Sequence, residues 1–304
     1  MLTKELNAVT EPVLARWRDY YSLTKPGVVQ LLVFTAIVGM FLATPGMVPW
    51  EILLFASVGI GLSAASGAAV NHVLDQRIDA EMLRTRDRPL PTGRIDEKDA
   101  LAFAIALGLV GIAILALLVN ALTAVLTFLS LIGYAVVYTV YLKRATPQNI
   151  VIGGAAGAAP PVLGWAAVTN EVSGYAFLLF LIIFTWTPPH FWALAVARKD
   201  DYERAGVPML PVTHGLEVTK SFVLGYTILL LLVSLLPYLT GMSGVLYLFG
   251  ASLLGAGFLY YAIRLKYSGD ESVPMKTFAY SISYLMALFT FLLVDHYIPL
   301  LWPE

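Results

Sequence analysis

Asn71, Asp75 and Asp79 recur at every fourth position. On a helix that spacing sets three oxygen-bearing side chains on one face, about 6 Å apart per step. Carboxylate and amide oxygens suit Mg²⁺, which keeps several waters and commonly bridges to substrate phosphates. Arg77, Arg84, Arg86 and Arg88 follow at once, and their guanidinium forks match phosphate oxygens two at a time. Acids for a metal beside bases for phosphate, in one stretch, describe a diphosphate site. The competing account is a solvated loop in which Asp75 and Asp79 pair with nearby arginines. Such pairs need no Asn one turn earlier, so the spacing favours the metal–diphosphate reading.

A second polar stretch, "RKDDYERAGVPML", begins at Arg198. Asp200, Asp201 and Glu203 supply ligands for a second metal, and Arg198, Lys199 and Arg204 face phosphate. Alternatively, some of these bases act only as topology determinants. Lys143, Arg144 and Asn149 form a third polar group, in which snorkelling flank residues compete with ligands. Inside an apolar stretch, "TWTPPHFWALA" (185–195) predicts a helix broken or kinked at Pro188 and Pro189, with His190 at membrane depth. An ionisable group there is functional by default. The alternative is a neutral imidazole bonded to a carbonyl that the prolines free. The small residues of "GGAAGAAPPVLGW" (153–165) lack a Lys to cradle phosphate. They allow close helix packing or open room for a ligand. Tyr134, Tyr138, Tyr141, Trp165, Trp186 and Trp192 either line a cavity that stabilises a cation or serve as packing and belt residues.

The elements that position these groups are membrane helices. Of the 304 residues, 59% are hydrophobic and only 13% charged, against about 25% charged in soluble domains. Mean hydropathy is +0.77. The net charge of −1 points to neither an acidic tail nor a nucleic-acid surface. The absence of cysteine excludes disulfides, thiolate metal sites and cysteine nucleophiles. The polar first 25 residues lack the apolar core of a signal peptide, and early acids argue against a transit peptide. Spans of ~20 apolar residues are expected at 27–44, 50–71, 100–119, 121–142, 149–168, 174–197, 221–239, 244–265 and 277–298. The expected fold is thus all-α and polytopic, in a single membrane-embedded domain over 1–304. Every Lys and Arg then falls on one face: in residues 1–25, and after the second, fourth, sixth and eighth spans. By the positive-inside rule that face is cytoplasmic, so the N-terminus is cytoplasmic and the C-terminus opposite. The long loops 72–99 and 198–220 are expected to cap this face with short helices.

These segments resemble the UbiA-type intramembrane prenyltransferases, and within them the branch that prenylates haem. The resemblance covers nearly the whole chain. It rests on "LTKPGV", "NHVLDQRIDAEMLRTRDRPLPTG", "YLKRATPQNIVIGGAAGAAPP", "TPPHFWALA" and "DDYERAGVPMLPV". It implies a ring of nine helices around a lipid-facing cavity in a bacterial inner membrane. It further implies Mg²⁺-bound farnesyl diphosphate as donor and haem B as acceptor, with product passing toward a downstream haem A synthase or terminal oxidase. Carried over by position, Asn71, Asp75 and Asp79 hold the metal–diphosphate complex, with Arg84 and Arg88 close by. By residue type, Lys143, Arg198 and Arg204 are further candidates for the diphosphate. Asp200 and Asp201 add metal ligands, and Tyr202 and His190 lie toward the haem. Members with quinone-type acceptors carry a second Asp-x-x-x-Asp; here Arg204 and Ala205 stand four residues after Asp200 and Asp201. That departure agrees with the haem branch. A prenyltransferase for an aromatic or quinone-precursor acceptor is the first rival. A small-molecule transporter is the second, and would place its polar groups near the bilayer midplane.

Overall fold

The computed structural model describes residues 16–142 and 145–301, and the described residues fold into helices without strands. Lys143, Arg144 and the residues before Arg16 lie outside the described residues. Two helices, α1 (Arg16–Leu23) and α2 (Pro26–Leu42), meet at 48°. Between them Lys25 adopts the left-handed conformation, φ 50° and ψ 61°. For a residue with a Cβ that conformation costs roughly 1–2 kcal/mol, and the following proline already excludes the right-handed helix there. The chain continues through α3 (Trp50–Leu74), the short α4 (Gln76–Glu81), α5 (Glu97–Leu118) and α6 (Ala121–Ile132). A π-helical stretch, Gly133–Leu142, extends α6. Then come α7 (Asn149–Ala158), α8 (Pro160–Thr169), α9 (Gly174–Ala197), α10 (Lys199–Arg204) and α11 (Leu210–Thr213). Three long helices close the fold: α12 (Gly215–Leu239), α13 (Val245–Tyr267) and α14 (Val273–Leu301).

Among the described residues eight stretches are long and apolar enough to cross a membrane, and the bent α1–α2 pair makes a ninth. Eight of the nine expected spans correspond to these eight helices, and the first, 27–44, to α2 of the bent pair. The expected 149–168 span is two helices meeting at Ala159. Pro160 and Pro161 remove two N–H donors there and restrict the residue before them. Conversely, Pro188 and Pro189 do not break α9, which runs unbroken from Gly174 to Ala197. That corrects the expected break. Both prolines, with Trp186, His190 and Trp192, are buried, and α12 and α14 pack along the helix. With no water to solvate an opened turn, the packed helix is the cheaper state.

Helix α2 packs on α8, α3 on α5, and α12 on α13; α14 lies against α13 and returns to α2, closing a ring. The α2–α8 seam is backbone on backbone. A Cβ on Gly39 would stand 2.2 Å from the Pro161 carbonyl oxygen, and one on Gly164 would stand 2.0 Å from that of Ala36. Outward faces carry exposed apolar side chains such as Leu109, Leu117, Phe249 and Leu253, as a lipid solvent requires. The buried acid Asp295 of α14 is structural, because it accepts from the backbone N–H of Gly244 (2.5 Å) and Tyr247 (3.0 Å) and so caps α13. Every described Lys and Arg lies at the ends of the helices on one side, hereafter the basic face.

Candidate functional site

The stripe begins inside the last turn of α3 and crosses a joint. Asp75 is the hinge between α3 and α4, at φ −93° and ψ 2°. The helical register survives the joint. Asp75 N–H donates to the Asn71 carbonyl at 3.0 Å, and Asp79 N–H to that of Asp75 at 2.8 Å. Asn71, Asp75 and Asp79 thus keep their common face, and all three are buried, at 5%, 3% and 4% exposure. Asn71 Nδ2 donates to Asp75 Oδ2 at 2.7 Å, and Asn71 Oδ1 accepts from Lys25 Nζ. Arg88 donates to Asp79 Oδ2 at 2.7 Å. The Thr85 hydroxyl donates to the Asp79 carbonyl at 3.0 Å, folding the arginine-bearing loop back over α4.

The second stretch lies against the first. Tyr202, Val207 and Met209 share an apolar cluster with Met82 of the first loop and Ile150 of α7. Asp201 is buried and accepts from Arg204, whereas Asp200 and Arg198 stand at the surface. Burial raises the Tyr202 phenol above its ordinary range; Arg84, Arg198 and Arg88 act the other way, and Asp201 reinforces the rise. Its hydroxyl keeps its proton at neutral pH and remains a donor. Arg84 and Arg88 therefore sit within electrostatic reach of both stretches. A cavity of about 630 Å³ opens on the basic face beside them, lined in part by Leu83, Val196, Arg198, Asp201, Lys220 and Leu265. It lies within the ~300–1,000 Å³ range of small-molecule sites.

The π-helical stretch completes the inner wall. Thr139 Oγ1 donates to the Tyr134 carbonyl at 2.9 Å and lies 3.5 Å from Asn71 Nδ2. Tyr134 and Tyr138 stack at 5.6 Å. The Tyr138 ring rests on Gly153, where a Cβ would stand 2.1 Å from it. Gly153, Gly154 and Gly164 thus serve close packing, whereas a Cβ on Gly157 would meet open space. Trp165, Trp186 and Trp192 are buried, and Tyr141 is exposed.

His190 is 7% exposed and lies between the Trp186 ring (4.2 Å) and the Phe278 ring (4.6 Å). Ser281 donates to the Phe278 carbonyl at 2.6 Å, which leaves its oxygen to accept from His190 Nδ1–H at 2.6 Å. The bland expectation, an imidazole on a carbonyl freed by the prolines, is replaced by this hydroxyl on α14.

Among the expected site residues, the fold brings Asn71, Asp75, Asp79, Arg84, Arg88, Asp201, Tyr202 and Arg204 to one region. Asp200 faces the cavity, and Lys143 is outside the described residues. Reading by residue type missed Lys25 and Thr139, both of which meet Asn71. Lys25 sits in "LTKPGV", where a Lys immediately before Pro at a span entrance was the available signal. Among the described residues no three carboxylate or histidine side chains converge as a metal cage. Two buried carboxylates and an amide oxygen remain, a donor set that suits Mg²⁺ completed by phosphate oxygens and water.

The profile of the UbiA prenyltransferase family matches residues 32–292. The chain is 62% identical over 284 residues to the protoheme IX farnesyltransferase of Methylococcus capsulatus, covering 93% of this chain and 95% of that one. It is 60% identical over 286 residues to that of Nitrosococcus oceani, covering 94% and 96%. The fold is similar to a solved digeranylgeranylglyceryl phosphate synthase, with a TM-score of 0.76 at 18% identity, over 93% of this chain and 99% of that one. It is also similar to a UbiA homolog from Archaeoglobus fulgidus bound to GPP and Mg²⁺, with a TM-score of 0.61 at 17% identity, over 90% and 99%. Helices, buried acids and sequence likeness agree: the chain belongs to the UbiA prenyltransferase family.

Proposed function

We propose that this membrane prenyltransferase moves a farnesyl group from farnesyl diphosphate to a vinyl group of haem B, with addition of water, giving haem O. The observation that carries the reading is the buried Asn71–Asp75–Asp79 face, flanked by Lys25 and Arg88 and set at one membrane edge. The acceptor follows from roughly 60% identity to relatives named for this reaction.

Asn71, Asp75 and Asp79 would hold Mg²⁺, with Asp200 and Asp201 serving a second ion. When bound, Mg²⁺ supplies positive charge to the leaving diphosphate. Lys25, Arg84 and Arg88 add charge at the same oxygens, with Arg198 and Arg204 at the rim. As the allylic C–O bond breaks, the electron pair leaves with diphosphate and the farnesyl carbon becomes electrophilic. The vinyl group attacks it through its terminal carbon, and water captures the charge left beside the porphyrin and releases a proton. Tyr134, backed by its stack on Tyr138, would stabilise the allylic cation through its ring, and apolar walls would limit premature capture by water. The acceptor's propionates suit the basic rim of the 630 Å³ cavity, where Arg198, Lys199, Arg204 and Lys220 stand, and Tyr202 and His190, outside that lining, would meet its apolar body. We place the basic face in the cytoplasm of a bacterium, from which product passes to a haem A synthase or terminal oxidase.

The test is mass spectrometry of haems extracted from membranes incubated with haem B, farnesyl diphosphate and Mg²⁺. A farnesylated, hydrated haem is expected, and His190→Ala should lower its yield more than it lowers diphosphate binding. Prenylated 4-hydroxybenzoate with unchanged haem B would sink the acceptor assignment.

A further inference from the structure

His72 follows Asn71 in α3 and is 3% exposed. Among the described residues neither of its ring nitrogens has a hydrogen-bond partner. A buried polar group left unsatisfied is costly, so such a group calls for an explanation. Its setting supplies one. Each helical residue turns about 100°, so with Asn71 at the origin Asp75 lies near 40°, Asp79 near 80° and His72 near 100°. The register that carries this count across the α3–α4 joint is the pair of backbone bonds at Asp75 and Asp79. His72 therefore borders the acidic face on the flank nearer Asp79. Around it, within electrostatic reach, gather Lys25, Arg84 and Arg88. Three cations gathered around an imidazole form a cradle for an anion.

We propose that His72 is a diphosphate-binding residue, whose ring N–H donates to an oxygen of the leaving diphosphate. The assignment rests on the function proposed above. An imidazole ring carries an N–H donor in either tautomer. The N–H would thus face the anion, and the other nitrogen would accept from a neighbouring Arg, Lys or water. Donation from a fixed ring N–H adds directionality to a site already rich in positive charge, fixing which diphosphate oxygens the cations share.

The experiment measures binding of inorganic pyrophosphate and of farnesyl diphosphate, each with Mg²⁺, to the purified full chain and to His72→Leu and His72→Gln. His72→Leu should weaken both by roughly tenfold to a hundredfold, as expected for one hydrogen bond to a charged group. It should raise the KM for farnesyl diphosphate and leave that for haem B unchanged. His72→Gln, which keeps an N–H donor, should recover most of the affinity. The ligand-free His72→Leu protein should melt no lower than wild type, since it loses an unsatisfied group; a packing role predicts a lower melting point. In wild-type protein the ¹⁵N resonances of the His72 ring should shift when Mg²⁺ and pyrophosphate are added. That readout stands even if a variant fails to fold. Unchanged affinity in His72→Leu, or unmoved ring resonances while the ligand binds, overturns the assignment alone. Wild-type protein that binds neither ligand overturns this assignment and the proposed function together.

Discussion

Lys25 and Asn71, 46 positions apart in the chain, are joined by a hydrogen bond from Nζ to Oδ1. One stands at the bend between the first two helices; the other begins the acidic face. Because Lys25 holds a left-handed backbone in front of Pro26, its ammonium is aimed by a strained joint. Strain kept at such a place accompanies function more often than packing.

The first prediction concerns that pair and its neighbours. Asp75→Asn and Asp79→Asn should each lower turnover by roughly two orders of magnitude or more, with protein still inserted and folded. Lys25→Met and Arg84→Ala should act mainly on the KM for farnesyl diphosphate. Steady-state kinetics in purified membranes decide this. Near-normal turnover of Asp75→Asn at ordinary Mg²⁺ would remove that carboxylate from the proposed site.

A second prediction separates packing from chemistry. Gly39→Ala and Gly164→Ala place a methyl group against backbone that cannot swing away. Each should cost about 1–3 kcal/mol, seen as a lower melting temperature in detergent. Gly27→Ala, with open space around the new Cβ, should be near neutral. Equal stability of all three variants would contradict the close α2–α8 approach.

The third prediction tests orientation. A reporter fused after Glu304 should lie on the face opposite one fused at the N-terminus, with the N-terminal reporter cytoplasmic. Two reporters on the same side would mean an even number of crossings, and the α1–α2 bend would then be the place to look.

Much of this was legible because lipid makes the code coarse. Long apolar runs and one-sided Lys and Arg gave the spans, and spacing by four gave the acidic face, whose register survives the joint at Asp75. What pattern could not give was contact across sequence. Lys25 reads as a topology charge until its bond to Asn71 is seen. Thr139 reads as one more apolar-helix residue until its place beside Asn71 is known. The fate of the prolines also depended on neighbours. Pro188 and Pro189 carry the same local rule as Pro160 and Pro161, yet α9 is clasped by α12 and α14 and stays whole.

The π-helical stretch at Gly133–Leu142 has a consequence for how this chain can change. A wider turn holds more residues than an α-turn of the same height, so it re-phases everything on its C-terminal side. Removing a single residue between Gly133 and Thr139 would let the stretch relax to an ordinary helix. The Tyr134–Tyr138 stack and the Thr139 hydroxyl would then rotate out of step by about 100°. Point substitutions there should be tolerated far better than deletions, so the length of this segment is held more tightly than its letters.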